Sequence, residues 1–380
     1  MKKLRKTKKI KWIFLNILLL IFTVIITLIV IEILLRIFFP QNLNITRLDA
    51  EKIYEHKPGI KSILKRQEFA TNVKINSYGL RDKEYELENP NGTIRIAIVG
   101  DSFVFGFGIE QNETFVKILE GIINSRLKKN YEVINFGVSG YGTEQEYILI
   151  KNDVIKYSPD IIIIAFSLTD LKENVKFNLF DVKNTTLIRN HTQKITLILK
   201  LRNYISWHSH FYSLVYFSVI DNQELRDFLI KIKLLNPPYK DSSTDFDSLI
   251  YFNTKNHDFD YVMNKTILLL NEINNIAKQN NVTLIVFIVP TKEQVDDNKM
   301  KEYIKNKNLN NEKLNITKVQ QIISSIQKDN ITIIDPLDQF KKHNINNTFY
   351  YDIDGHWNQK GHQFVANIIH ENLIKHSLVS

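Results

Sequence analysis

Thirteen residues near the end of the chain, YYDIDGHWNQKGH at 350–362, place Asp352, Asp354, His356 and His362 within one loop's length. Histidine, with an ordinary pKa of about 6.5, is the side chain best suited to take and return a proton near neutrality. It does covalent chemistry only with a nucleophile to deprotonate and a carboxylate to hold its far ring nitrogen. The 380-residue chain has no cysteine, so a thiolate nucleophile, thiolate metal sites and disulfides are excluded together. The candidate nucleophile is Ser102, in GDSFVFGFG at 100–108. Ser102, His356 and a neighbouring Asp would supply the three parts of a proton relay.

Residues this far apart in sequence need elements that bring them together. TIRIAIVG (93–100), YEVINFG (131–137), DIIIIAF (160–166), VTLIVFIVP (282–290) and ITIIDP (331–336) read as strands. Between them lie stretches of helical period, such as Phe115, Ile118, Leu119, Ile122, Ile123 and Leu127. The third strand is apolar at every position from Ile161 to Phe166, as expected of a parallel strand covered on both faces. This alternation predicts an α/β fold, a doubly wound parallel sheet with right-handed crossovers.

In such sheets ligands bind beyond the carboxyl ends of the strands. The segments found there are GDSFVFGFG, NFGVSGYGTEQE (135–146), FSLTDLKEN (166–174) and the 350–362 loop. Attack on an acyl carbon creates an oxyanion that needs fixed donors. The amides of Ser102 and Gly140 and one side chain after the third strand are placed to supply them, with glycine allowing close backbone approach.

With these blocks in order, the chain resembles the SGNH, or GDSL-like, serine hydrolases. GDSF resembles the nucleophile block, NFGVSG the block with the oxyanion glycine, and DGHWNQKGH the block with Asp and His. NSYGLRD (76–82) and FIVPTKEQV (287–295) resemble the membrane-anchored branch, and the resemblance runs over about residues 75–375 apart from an insertion. It implies a flavodoxin-like fold, esterase, acyl-hydrolase or acyltransferase chemistry, and no metal or other cofactor. It also implies Ser102 as nucleophile, His356 as base and Gly140 as an oxyanion donor. Many members carry the carboxylate three residues before the histidine, where this chain has Ile353. Asp354 fits the D-x-H-W form and is favoured, with Asp352 as the alternative. The third block departs further: S-L-T-D replaces the usual G-x-N-D, putting Thr169 at the Asn position. A hydroxyl donates one hydrogen bond from a shorter side chain than an amide.

Other readings of the same residues are weaker. His356 and His362 with Asp352 and Asp354 lack a second ligand cluster of metal spacing. Gly106 and Gly108 have neither the third glycine nor the lysine of a nucleotide loop. WHSH at 207–210 is expected to pack or lie at the surface.

Seven basic residues (Lys2, Lys3, Arg5, Lys6, Lys8, Lys9 and Lys11) precede the first apolar stretch, and without them the net charge falls from +9 to +2. A basic face for nucleic acid is therefore not expected on the folded domain. From Ile13 to Phe39 the chain is long and apolar enough to cross a bilayer, with no small-residue cleavage site in IEILLRIFFP. The expected organisation is a cytoplasmic basic tail at 1–12, a transmembrane anchor at 13–39 and a polar linker and strap at 40–92. A hydrolase-like domain is expected at 93–380, interrupted by an aromatic-rich insertion at about 175–255. The positive-inside bias puts the N-terminus in the cytoplasm and the domain outside a bacterial cytoplasmic membrane. The expected partners are that membrane and an acylated cell-surface glycan, from which a small acyl group, acetyl above all, is removed or transferred. A lipid or thioester acyl hydrolase and a non-catalytic protein of polysaccharide export are the alternatives.

Overall fold

A computed structural model describes residues 2–127, 130–190, 195–232, 246–253, 255–307, 309, 313–326, 331–344 and 348–379. The side chains of the expected basic tail up to residue 10 lie outside this description, as do 191–194, 233–245 and 254 of the expected insertion. The chain forms two compact units, one of residues 1–44 with 196–237 and one of 45–195 with 238–380.

The first unit is helical. Helix α1, Lys2–Phe38, contains the apolar stretch and is long and apolar enough to cross a membrane from Lys11 to Phe38. Its threonines return their hydroxyl bonds to the helix, Thr23 to Leu19 O at 3.0 Å and Thr27 to Thr23 O at 2.8 Å. The rest of this unit comes from the insertion.

The second unit opens with two antiparallel hairpins, β1 (Thr46–Asp49) with β2 (Ile53–His56) and β3 (Lys61–Lys65) with β4 (Ala70–Lys74). The segment expected as a polar linker and strap is thus partly paired backbone, and from residue 45 it belongs to the same compact unit as the sheet. Next come strand β5 (Thr93–Gly100), helices α2 (Ser102–Phe105) and α3 (Phe115–Arg126), and strand β6 (Asn130–Gly137). Helix α4 (Thr143–Asn152), strand β7 (Ile161–Ser167) and helix α5 (Thr169–Phe177) follow, then a small hairpin of β8 (Phe180–Lys183) and β9 (Thr186–Arg189). After the insertion the alternation resumes with a helix at His257–Gln279, β10 (Thr283–Val289), β11 (Thr332–Ile334) and a closing helix at Gln359–Lys375.

Five of these strands make one parallel sheet in the order β11-β10-β7-β5-β6. Counting only sheet strands, that is the flavodoxin-like order 2-1-3-4-5 read from the other edge, with its switch point between β5 and β7. Successive side chains of β5 serve opposite faces. Ala97 and Val99 join a core with α4 and the 257–279 helix, while Ile96 and Ile98 join another with α3 and the closing helix. Both faces being covered, β7 is buried at all seven positions.

Register then fixes where chemistry can converge. Gly100 lies opposite Gly137 on one side and Ala165 on the other, and Ser167 lies opposite Val289. Residues just past these positions therefore share one edge of the sheet. They are Ser102, Gly140, Thr169 and Lys292.

Candidate active site

Ser102 is the first residue of α2, a single turn capped by the Asp101 carboxylate, which accepts the Phe103 amide at 2.9 Å. The turn sits directly on the end of β6. A Cβ at Gly137 would stand 2.1 Å from the Phe105 nitrogen, so only glycine permits this approach. Asn135 adds a bond from Nδ2 to Val104 O at 2.8 Å.

Arg81, from the NSYGLRD stretch, completes the mounting. Its buried guanidinium donates to the carbonyls of Phe105 (3.0 Å), Gly106 (2.6 Å) and Ile109 (2.5 Å). Burial lowers its pKa to about 10, which leaves it charged at neutral pH. The next residue, Asp82, accepts the Asn135 amide at 2.9 Å and pairs with Lys117 at 2.9 Å. Sequence reasoning used this stretch only as a family marker. In the fold it holds the loop that carries Ser102.

His356 reaches Ser102 from the far end of the chain. Its Nε2 lies 2.7 Å from Ser102 Oγ, and its Nδ1 is bonded to Asp354. Phe103 and Phe107 flank the imidazole, with ring centroids 5.0 and 4.8 Å away. Burial pushes the Asp354 carboxyl up, but the hydrogen bond and charge of His356, with a smaller pull from Arg66, bring it below its ordinary value. Asp354 is thus ionised at neutral pH and oriented to favour a proton on Nδ1, leaving Nε2 to face the serine.

Asp352 takes no such position. Its main-chain carbonyl, with that of Tyr351, accepts the buried Lys292 ammonium at 2.8 Å each. The amides of Asp352, Ile353 and Asp354 converge on the Glu68 carboxylate at 2.7, 3.0 and 2.8 Å. Three successive N–H groups and two successive carbonyls are thereby satisfied by two side chains of opposite charge. The loop closes through Tyr351 N to His356 O at 2.9 Å, and Tyr351 Oη donates to Gly108 O at 2.9 Å, tying it to the serine loop. Glu68, in the β3–β4 turn, was not foreseen from sequence.

For the oxyanion, Ser102 N–H stands at the first helical position, where no intrahelical acceptor exists. Gly140 has φ +77°, and a Cβ there would meet Tyr54 Oη at 2.8 Å. Among the described residues neither amide donates to a protein acceptor. Thr169 differs. The residue itself is exposed, but its hydroxyl donates to the buried Asp101 Oδ2 at 3.1 Å and lies 2.7 Å from Ser167 Oγ, so the proton expected for an oxyanion is committed inward. Behind it, Asp101, Glu146 and Asp170 are all buried, and burial pushes each carboxyl up, with mutual repulsion adding to the rise in Glu146 and Asp170.

His362 is separated from this machinery. Fully buried, it accepts the Phe115 amide on Nδ1 at 3.1 Å, and burial, with Arg81 and His356 nearby, lowers its pKa to about 3. It is a neutral acceptor that caps α3. Among the described residues no group of three or more His, Cys, Asp or Glu has metal-holding geometry.

Comparison with known proteins gives a match over residues 253–379 to the family model described as "SGNH hydrolase-like domain, acetyltransferase AlgX". That stretch contains Lys292, Asp354 and His356, whereas Ser102 and Gly140 precede it. Among solved structures, the acetyl xylan esterase AlAXEase is 13% identical with a TM-score of 0.42, covering 74% of this chain and 100% of its own. A G-D-S-L family lipolytic protein from Desulfitobacterium hafniense is 11% identical with a TM-score of 0.38, covering 73% and 98%. A lipase/acylhydrolase from Enterococcus faecalis is 13% identical with a TM-score of 0.36, covering 74% and 95%. No curated protein matches the chain.

Proposed function

We propose that this chain, SGNH hydrolase-like in its sheet and in its C-terminal match, is a serine esterase or acyltransferase acting through Ser102, His356 and Asp354. One observation carries the reading: an unbroken hydrogen-bonded line from Asp354 through both ring nitrogens of His356 to Ser102 Oγ, at the carboxyl edge of the sheet. His356 Nε2 takes the serine proton as Oγ attacks an acyl carbon, and Asp354 stabilises the imidazolium. The amides of Ser102 and Gly140 receive the oxyanion. The proton then passes to the leaving alcohol, and an acyl group stays on Ser102. Water or a second hydroxyl, deprotonated in turn by His356, completes hydrolysis or transfer.

Acetyl is the favoured acyl group because the matched family description names an acetyltransferase. The favoured acceptor is a glycan outside the cytoplasmic membrane. Support for that location is the apolar helix α1 and its hydrogen bonds, through Glu32 and Arg36, to residues 208–211. A segment hydrogen-bonded to a later part of the chain supports an anchor over a leader that is cut away. The inward Thr169 hydroxyl favours a second reading, a glycan-binding protein of low turnover.

The test is p-nitrophenyl acetate turnover and fluorophosphonate labelling of the full chain in detergent, beside Ser102→Ala. Labelling and turnover that vanish in the variant are expected. A folded wild-type protein that neither labels nor turns over would overturn the enzymatic reading in favour of binding.

A further inference from the structure

Residues 196–237 of the aromatic insertion form one unit with α1, and several hydrogen bonds tie the two. Helix α6 (Leu197–His208) is bonded near its end to the segment beyond the apolar stretch, Asn44 N to Ser206 O at 3.1 Å. At the start of α7 (His210–Asp221), Gln41 N donates to His210 Nδ1 at 2.8 Å. Then Glu32, inside the apolar stretch, accepts Ser209 Oγ (3.0 Å), His210 N (2.9 Å) and Phe211 N (2.9 Å) while pairing with Arg36 at 2.8 Å. Arg36 also donates to His208 O, so the partners of residues 206–211 range from Asn44, beyond the apolar stretch, to Glu32 inside it.

An acidic residue in a spanning segment is tolerated when its oxygens are paired. Here the carboxylate also meets the unsatisfied amides at the N-terminus of a twelve-residue helix, where negative charge is favoured. Beyond that point α7 runs FYSLVYFSVI from Phe211 to Ile220 without a charged side chain. Val215 and Tyr216 are 45% and 44% exposed, and on α6 Leu197, Ile198 and Leu201 are 82%, 80% and 59% exposed. Tyr204, Trp207 and Tyr212 supply the amphipathic rings that collect at headgroup level.

We infer that α7 and the apolar side of α6 enter the outer leaflet of the same phospholipid bilayer that α1 crosses, making the insertion a second membrane element hinged on Glu32. Continuity with α1 identifies the occupant: the exposed apolar side chains belong to the unit whose other helix is the span itself. The inference rests on the anchor reading of α1 but not on catalysis. Non-helical backbone at membrane depth must be satisfied by protein, and the junction at 209–210 meets that condition through Glu32.

Since the chain has no cysteine, one introduced thiol carries one spin label. The full-length protein in phosphatidylcholine vesicles would be labelled at Val215→Cys, Tyr216→Cys and Leu201→Cys. Ile21→Cys on α1 and Lys183→Cys on the β8–β9 hairpin serve as references, all five positions being exposed. The expected result is an oxygen-over-nickel-chelate accessibility at 215 and 216 like that at 21, an intermediate ratio at 201, and nickel access at 183. Nickel access at 215 and 216 with 21 still lipid-shielded would overturn this inference while leaving the anchor intact. Nickel access at 21 as well would overturn both. Labels at 215 and 216 closed to both reagents and broadened by a neighbouring label would mean that a second copy, not lipid, covers the face.

Discussion

The two walls of the site are built on opposite principles. On the histidine wall, the 351–356 loop commits its backbone to side chains of opposite charge, amides to Glu68 and carbonyls to Lys292. His356 remains free to address Ser102, with Asp354 on its far nitrogen. On the wall after β7, the exposed Thr169 gives its hydroxyl proton to Asp101, in front of buried Asp170 and Glu146. One wall fixes its backbone and leaves side chains for chemistry, while the other commits its side-chain donor to a buried carboxyl group.

The histidine wall can be broken hardest at its carboxylate. Asp354→Asn would present the wrong hydrogen-bond partner to His356 Nδ1 and should lower kcat by about 10⁴, as expected when the base is held in the wrong tautomer. Asp352→Asn should leave turnover near that of the unchanged protein, because His356 Nδ1 is already bonded to Asp354. The pair would be read by initial rates on p-nitrophenyl acetate. The reverse ranking would transfer the role to Asp352.

A smaller loss tests whether the wall works as a clamp. Glu68→Ala removes the acceptor for three amides and lets the loop drift. A displacement of about 1 Å at the base costs on the order of 10² in rate. The fall should appear in kcat with KM little changed, and Glu68→Gln, which keeps one acceptor oxygen, should restore part of it. If kcat is unchanged in Glu68→Ala, or if the loss tracks a drop in Tm that Gln does not reverse, Glu68 is not a positioning residue.

How much of this could be read from the chain follows from the range of each interaction. The five sheet strands were legible because uniform apolar runs such as 161–166 admit few other structures, and their order in sequence fixed which loops share an edge. Ser102, His356 and Asp354 were legible as types in the loops where ligands bind. The hairpins at 46–74 were not, since strands of four or five residues with mixed polarity carry little periodic signal. Glu68 was further out of reach. Its partners are amides 284 to 286 residues away, and backbone acceptance leaves no mark on the residue types that donate. Only the exposed turn placing an acid beside Arg66 and Phe69 hinted at it.

The inward wall invites the smallest and most diagnostic change. Thr169→Val keeps shape and removes the hydroxyl. Were Thr169 the oxyanion donor that its place in the third block suggests, the loss would be about 10²–10³ in kcat. With the proton given to Asp101 and two backbone amides already available at Ser102 and Gly140, a loss below about tenfold is expected. What remains of the effect would pass through Asp101, whose carboxyl burial pushes up and the Thr169 bond pulls back down. Removing that bond pushes it up further and weakens its hold on the Phe103 amide beneath the serine. Thr169→Ser, which can still donate to Asp101, should then match the wild type, and the size of the Thr169→Val loss separates support from beneath Ser102 from direct contact with the oxyanion.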